Sequence, residues 1–233
     1  MDLGQVATTG RDGTLAIATT MRSPLYPLTI NTPPSGWASL LALFTAQQLV
    51  LTRDDVQGVE VQVRLASATP DRVFARNELI DATFVVELSG AFWRDQVATT
   101  PSAPLSGSST TLSLFDGISA PVGDAMVRVK GQAAGIQITD HSGAWLTLPD
   151  VPAGSYCRFE SATGRAFVTT TDTWTGGVEV SGAVDFGGPR GVFEITPVLA
   201  VLNPSDRHAE LTIATTSRTG AVLEVRGKAA HII

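Results

Sequence analysis

Between residues 110 and 226 apolar and polar residues alternate in about ten short runs, and nearly every run is closed by a turn signal. The runs are 110–115, 125–130, 136–139, 144–148, 155–160, 165–170, 178–184, 192–200, 209–215 and 221–226. Between them lie Asp116-Gly117, Gly123-Asp124, Ser142-Gly143, Ala153-Gly154, Thr163-Gly164, Gly176-Gly177, Gly187-Gly188-Pro189 and Thr219-Gly220. A period of two gives each run one dry and one wet face. Tight Gly-containing turns return the chain antiparallel. With no helical period among them, such runs can bury their dry faces only as a β-sandwich or jelly roll.

The chain before residue 102 has a different rhythm. Thr14–Ala18 and Leu25–Ile30 read as strands, with Asp12-Gly13 turning before the first. Asn31-Thr32-Pro33-Pro34-Ser35-Gly36 then breaks the chain, and Ser35 is the expected N-cap of one helix. Trp37, Leu40, Leu41, Phe44 and Leu51 form its apolar stripe, which is expected to pack on a sheet. Val59, Val61 and Val63 alternate with polar partners, as do Phe84, Val86 and Leu88, whereas 72–80 is ambiguous between strand and link. The second alternation runs into Phe92-Trp93-Arg94, and Ala98–Thr111 is rich in Ser, Thr, Pro and Gly. The boundary is therefore expected between residues 101 and 102, giving domains 1–101 and 102–233.

At 233 residues the chain is long enough to bury roughly 70 % of its unfolded surface without staples. Only 16 % of residues are charged and 43 % are apolar, which suits strands buried against strands or against other subunits. A net charge of −6 argues against non-specific nucleic-acid binding. Cys157 has no partner for a disulfide and reads as a buried, inert thiol. Met1–Gln5 lacks a signal peptide's basic start, and the apolar run Trp37–Leu51 is too short to span a membrane, so no membrane insertion is expected.

No catalytic signature is complete. His208-Ala209-Glu210 matches half of a zinc deaminase motif, but a chain with one cysteine cannot supply the other half. Asp54, Asp55, Asp140, Asp150, Glu160, Asp172, Asp185 and Glu194 are candidates for a glycosidase pair, yet most adjoin turn residues where Asp serves the backbone. No catalytic residue, metal site or cofactor is expected. Trp145 and Trp174 are the aromatics that could stack on a sugar. Trp145 shares its face with Thr147, opposite Ala144, Leu146 and Leu148. Either both faces are covered, or Trp145 marks an exposed contact.

Three stretches carry a resemblance. They are Ala82–Leu88 with Ala91-Phe92-Trp93-Arg94-Asp95; Gly117–Gly131; and Ile136–Asp140 through Ser142-Gly143 to Pro152-Ala153-Gly154-Ser155 and Gly164-Arg165-Ala166. On these residues the chain resembles the distal tail proteins, siphovirus-type minor tail components of long-tailed, non-contractile bacteriophages. The resemblance covers most of 59–227, although Phe193–Pro197 lacks the Gly-Asn part of one family turn. It implies a mainly β chain: an N-terminal, β-rich belt domain with one helix, then a galectin-like β-sandwich.

The implied function is structural and non-enzymatic. A homo-hexameric ring would join the tail tube protein to the central hub, or tail-associated protein, of the baseplate. The outer domains would offer a platform for receptor-binding proteins. DNA would pass through the ring without specific binding, for which net negative charge is the favourable sign. The protein would be assembled in the host cytoplasm and reside at the virion's tail tip. Ring contacts are expected at Val59, Val61, Val63, Phe84, Val86 and Leu88, and the seam between domains at Phe92, Trp93 and Arg94. The alternative is a carbohydrate- or receptor-binding β-sandwich protein of the tail tip.

Overall fold

The computed structural model describes residues 4–7, 14–17, 24–74, 79–89, 92–199 and 203–232. Among these the chain is mainly β with one α-helix. It divides into two units, Met1–Trp93 and Arg94–Ile233. The division falls earlier than the expected 101/102 boundary. The Ser- and Pro-rich stretch is not a free linker: Thr99 bridges Gly227, and Ser102–Pro104 forms a strand of the second unit.

In the first unit, β1 (Gly4–Ala7) and β2 (Thr14–Ile17) pair antiparallel. The expected Asp12-Gly13 turn lies outside the described residues. β3 (Leu25–Thr32) leads into α1 (Pro34–Phe44), followed by β4 (Leu49–Thr52), β5 (Val59–Phe74) and β6 (Leu79–Leu88). The helix starts one residue before Ser35, because Pro34 occupies its first turn and Pro33 is the extended N-cap. Its end is held by Thr45, whose hydroxyl donates to the Leu41 and Ala42 carbonyls. Leu51 is not on the helix but on β4.

β6 lies between β3 and β5, and Val63 pairs with both Leu88 and Leu49, so β4 takes the far edge of β5. Val59, Val61, Val63, Ala82, Phe84, Val86 and Leu88 turn one way and are buried with Phe44 and Trp93. The Phe44 and Phe84 rings stack at 4.2 Å, and Trp37 tilts over Phe84 at 5.4 Å. The ladder slips between Leu65 and Ser67, so Ala68 rather than Ser67 continues the apolar side. This bulge is why the clean alternation of 59–65 dissolves further along while the strand itself goes on.

The second unit begins within β7 (Trp93–Asp95) and holds β8 (Ser102–Pro104), β9 (Ser109–Leu114), β10 (Met126–Ala134), β11 (Ile136–Asp140), β12 (Trp145–Leu148), β13 (Tyr156–Glu160), β14 (Arg165–Thr169), β15 (Val178–Glu179), β16 (Asp185–Gly187), β17 (Ala209–Ala214), β18 (Ser217–Arg226) and β19 (Ala230–His231). One sheet has the order β15-β14-β13-β10-β18-β8, the other β16-β12-β11-β17-β9. Val127, Val129, Cys157, Phe159, Leu223 and Val225 of the first are buried, as are Ile136, Ile138, Leu146, Leu211 and Ile213 of the second. Phe159 meets Phe186 of the opposite sheet at 5.2 Å, and the two sheets form a β-sandwich.

Two expectations change here. The Thr219-Gly220 turn is part of a strand: β18 passes straight through it, opposite Gly131 of β10. Gly131 has a φ of +83°, and a side chain there would meet the Gly220 carbonyl oxygen at 2.5 Å, so the glycines permit a bulge rather than a reversal. Residues 192–199 contribute only isolated bridges at Ile195 and Pro197, since Pro197 has no N–H for a ladder.

Candidate interaction surfaces

Within the first unit, β3 and β4 are paired on one side only among the described residues. Their other backbone edges are available for pairing, the ordinary template for adding another chain. Both carry exposed apolar side chains: Leu25 (61 %) and Tyr26 (44 %) on β3, Val50 (45 %) on β4. Tyr26 lies opposite Val86, so it belongs to the apolar side of the sheet yet remains uncovered. The other sheet face is polar, and Arg64 pairs with Glu87 across β5 and β6.

The outer face of the six-stranded sheet is built quite differently. Pairing places Ser102, Glu224, Arg128, Arg158, Phe167 and Glu179 in one row across all six strands. Arg128 and Arg158 are each 3 % exposed. Glu224 accepts from Arg128 Nε at 2.7 Å and from Lys130 Nζ at 2.6 Å. Arg158 pairs with Glu160 at 3.0 Å. The connection from β14 to β15 crosses this row: Asp172 meets Arg128 Nη2 at 2.8 Å, and the Thr173 carbonyl accepts from Arg128 Nη1 at 3.2 Å. The Gly176 carbonyl accepts from Arg158 at 3.3 Å. Trp174 lies on the Arg128 guanidinium at 4.2 Å, with Tyr156 at 5.2 Å. At the foot of this connection an open cavity of about 570 Å³ is lined by Pro149, Pro152, Val168, Thr170, Gly177 and Val178.

The six expected ring contacts fall elsewhere. Val59, Val61, Val63, Phe84, Val86 and Leu88 are between 0 and 6 % exposed and are used inside the subunit, under α1. The alternation that singled them out reports a dry face, and the subunit's own helix is what dries it. Of the seam residues, Trp93 belongs to the first unit's core with Arg53 over its ring at 5.6 Å, while Arg94 belongs to the second unit and pairs with Asp124. Phe92 is half-buried. Trp145 is half-buried and lies over its cross-strand neighbour Gly187, where an added side chain would meet the indole at 3.2 Å. Sequence reasoning missed the Arg128–Arg158 row, because adjacency across strands depends on register, which sequence does not display.

Three of the candidate carboxylates hold local structure. Asp140, buried, accepts from the Thr196 and Ser142 amides and from the Thr196 hydroxyl at 2.6 Å. Asp150 accepts the Gly135 amide, and Glu194 pairs with Arg190. Cys157 is fully buried, and desolvation pushes its thiol up to about 12. Arg165, followed by the Ser181 hydroxyl, holds Glu179 down at about 2. Among the described residues no cluster of His, Cys, Asp and Glu is arranged to hold a metal ion. No helix among them is long and apolar enough to cross a membrane.

No protein-family model and no curated protein matches this chain. Solved structures do. The chain is similar over 97 % of its length to SPP1 Dit, described as a paradigm of the hub adsorption apparatus in Gram-positive infecting phages; 87 % of that chain is covered, with 13 % identity and a TM-score of 0.57. Chains of the phage P2 baseplate in its activated conformation, with Ca and with Sr, align over 99 % of this chain and 87 % of theirs. Their identities are 10 and 11 % and each TM-score is 0.39. The first likeness establishes the fold shared with SPP1 Dit.

Proposed function

We propose that this chain is a structural, non-enzymatic component of a phage tail tip, and that six copies close a ring between the tail tube and the central hub. The observation that carries the reading is the pair of open edges in the first unit's sheet. Within the first unit β3 pairs only with β6 and β4 only with β5 among the described residues, which gives two different strand edges, and a ring needs two different surfaces on each copy that fit head to tail. The fold shared with SPP1 Dit, which spans nearly the whole chain, supports the same reading. The ring contacts therefore move from the buried alternations to Leu25 and Tyr26 on β3 and Val50 on β4. The second unit, a galectin-like sandwich in this reading, stands outside the ring as a platform for receptor-binding proteins. A net charge of −6 lets DNA pass through without being held.

Mass measurement in solution tests this directly. A species of six times the chain mass, dispersed to monomer by Val50→Lys or Tyr26→Lys with unchanged circular dichroism, is the expected result. A wild-type chain that stays monomeric even with tube and hub proteins added overturns it.

A further inference from the structure

The outer face of the six-stranded sheet carries one more positive charge in its central cluster than the sheet's own carboxylates neutralise. Arg128, Lys130 and Arg158 face Glu224 and Glu160. The third carboxylate, Asp172, comes from the 170–177 connection. Two further acceptors on the arginines, the Thr173 and Gly176 carbonyls, come from it as well. Arg128 and Arg158 are direct cross-strand partners, an arrangement in which like charges repel, and the more so when buried. Arg158 Nη1 is buried with no acceptor among the described residues. The connection thus presents oxygens to two guanidinium forks, which is what an external carboxylate or phosphate would do.

The tether is weak where it meets the sheet. The Asp172 side chain is 60 % exposed, so its ion pair with Arg128 is largely solvated. Gly176 and Gly177 follow one another with φ of +69° and +106°, a pair of residues free of the side-chain restrictions that would fix one backbone path. If the connection lifts, Arg128 keeps Glu224 and Arg158 keeps Glu160, so neither arginine is stranded.

We propose that residues 170–177 form a displaceable strap over an oxyanion site, in which a carboxylate or phosphate group of a partner molecule replaces Asp172 and the strap carbonyls between Arg128 and Arg158. Trp174, stacked on Arg128, then moves with the strap and reports its position. The inference rests on the second unit alone and is independent of ring formation.

The test uses the full chain. Tryptophan fluorescence is titrated with inorganic phosphate and with citrate at constant ionic strength, with Trp174→Phe as the spectroscopic blank. A saturable change that the blank lacks is expected, and the tighter ion identifies the group the site takes. Asp172→Asn removes the internal competitor and should tighten binding about tenfold, as when a minor binding-competent state becomes the major one. Hydrogen exchange of the 170–177 amides in the wild-type chain should quicken as either ion saturates, a readout that needs no variant. The proposal is overturned by the absence of a saturable change for both ions in wild type and Asp172→Asn alike. An unchanged affinity in Asp172→Asn, or strap amides indifferent to the ions, overturns it equally.

Discussion

The two units solve the burial problem in different ways. The first lays a single helix on one face of its sheet, and among the described residues β3 and β4 are each paired on one side only, with Leu25, Tyr26 and Val50 uncovered. The second closes two sheets on each other, and even the outer face of the larger sheet is roofed by its own 170–177 connection. A single-layer sheet under one helix leaves surfaces for other chains, whereas a sandwich completes itself.

Selective damage to each unit would break this contrast or confirm it. The largest effect is expected for Phe84→Ala, which removes a ring with no exposure stacked under Phe44 and Trp37. Denaturant titration should show the first unit losing about 3–5 kcal/mol while the second melts unchanged. A single transition shifted as a whole would mean that the units are not independent. Next, Arg128→Ala should cost the second unit about 3 kcal/mol, because Glu224, 10 % exposed, is left without its main partner. The paired change Arg128→Met with Glu224→Leu should recover most of that loss, since two apolar groups need no compensation.

Two smaller effects concern protons. The Cys157 thiol is held far above its ordinary value of 9.0 by desolvation. Its proton stays on in the folded state, so the associated stability is complete below about pH 9 and declines as pH rises towards 12. A thiol reagent at pH 8 should modify it only at the rate of unfolding. The smallest effect on stability belongs to Arg165→Met. Glu179 should titrate above about 2, with the Ser181 hydroxyl still holding it below its ordinary 4.5, as a carboxyl NMR titration would read. The favourable pairing that Arg165 provides is present above the ordinary carboxylate range and is lost as pH falls through about 2. Because the pair is solvent-exposed, the melting midpoint at neutral pH should barely move.

The strands of the sandwich were legible because alternation and Gly turns are local: β9, β11, β12, β13 and β17 begin and end within a residue or so of their runs. The misreadings came from features with a non-local cause. Thr219-Gly220 reads as a turn in the sequence, but in the sheet Gly131 lies opposite it. The Val59–Val63 and Phe84–Leu88 alternations promised an interface, and alternation does not say what covers the dry face. Trp174 is legible as an aromatic of interest, but its partner Arg128 lies far away in the chain and is not legible at all.

By itself the sequence determined the β class, the single helix and the inertness of Cys157, because each follows from side-chain period, chain breakers or the identity of one residue. The tertiary structure decided which faces remain open and which charges meet. Those depend on register, on where α1 comes to rest and on the path of the 170–177 strap. A one-residue slip in pairing exchanges the two faces of a strand, so Arg128 and Arg158 become partners only once the sheet exists.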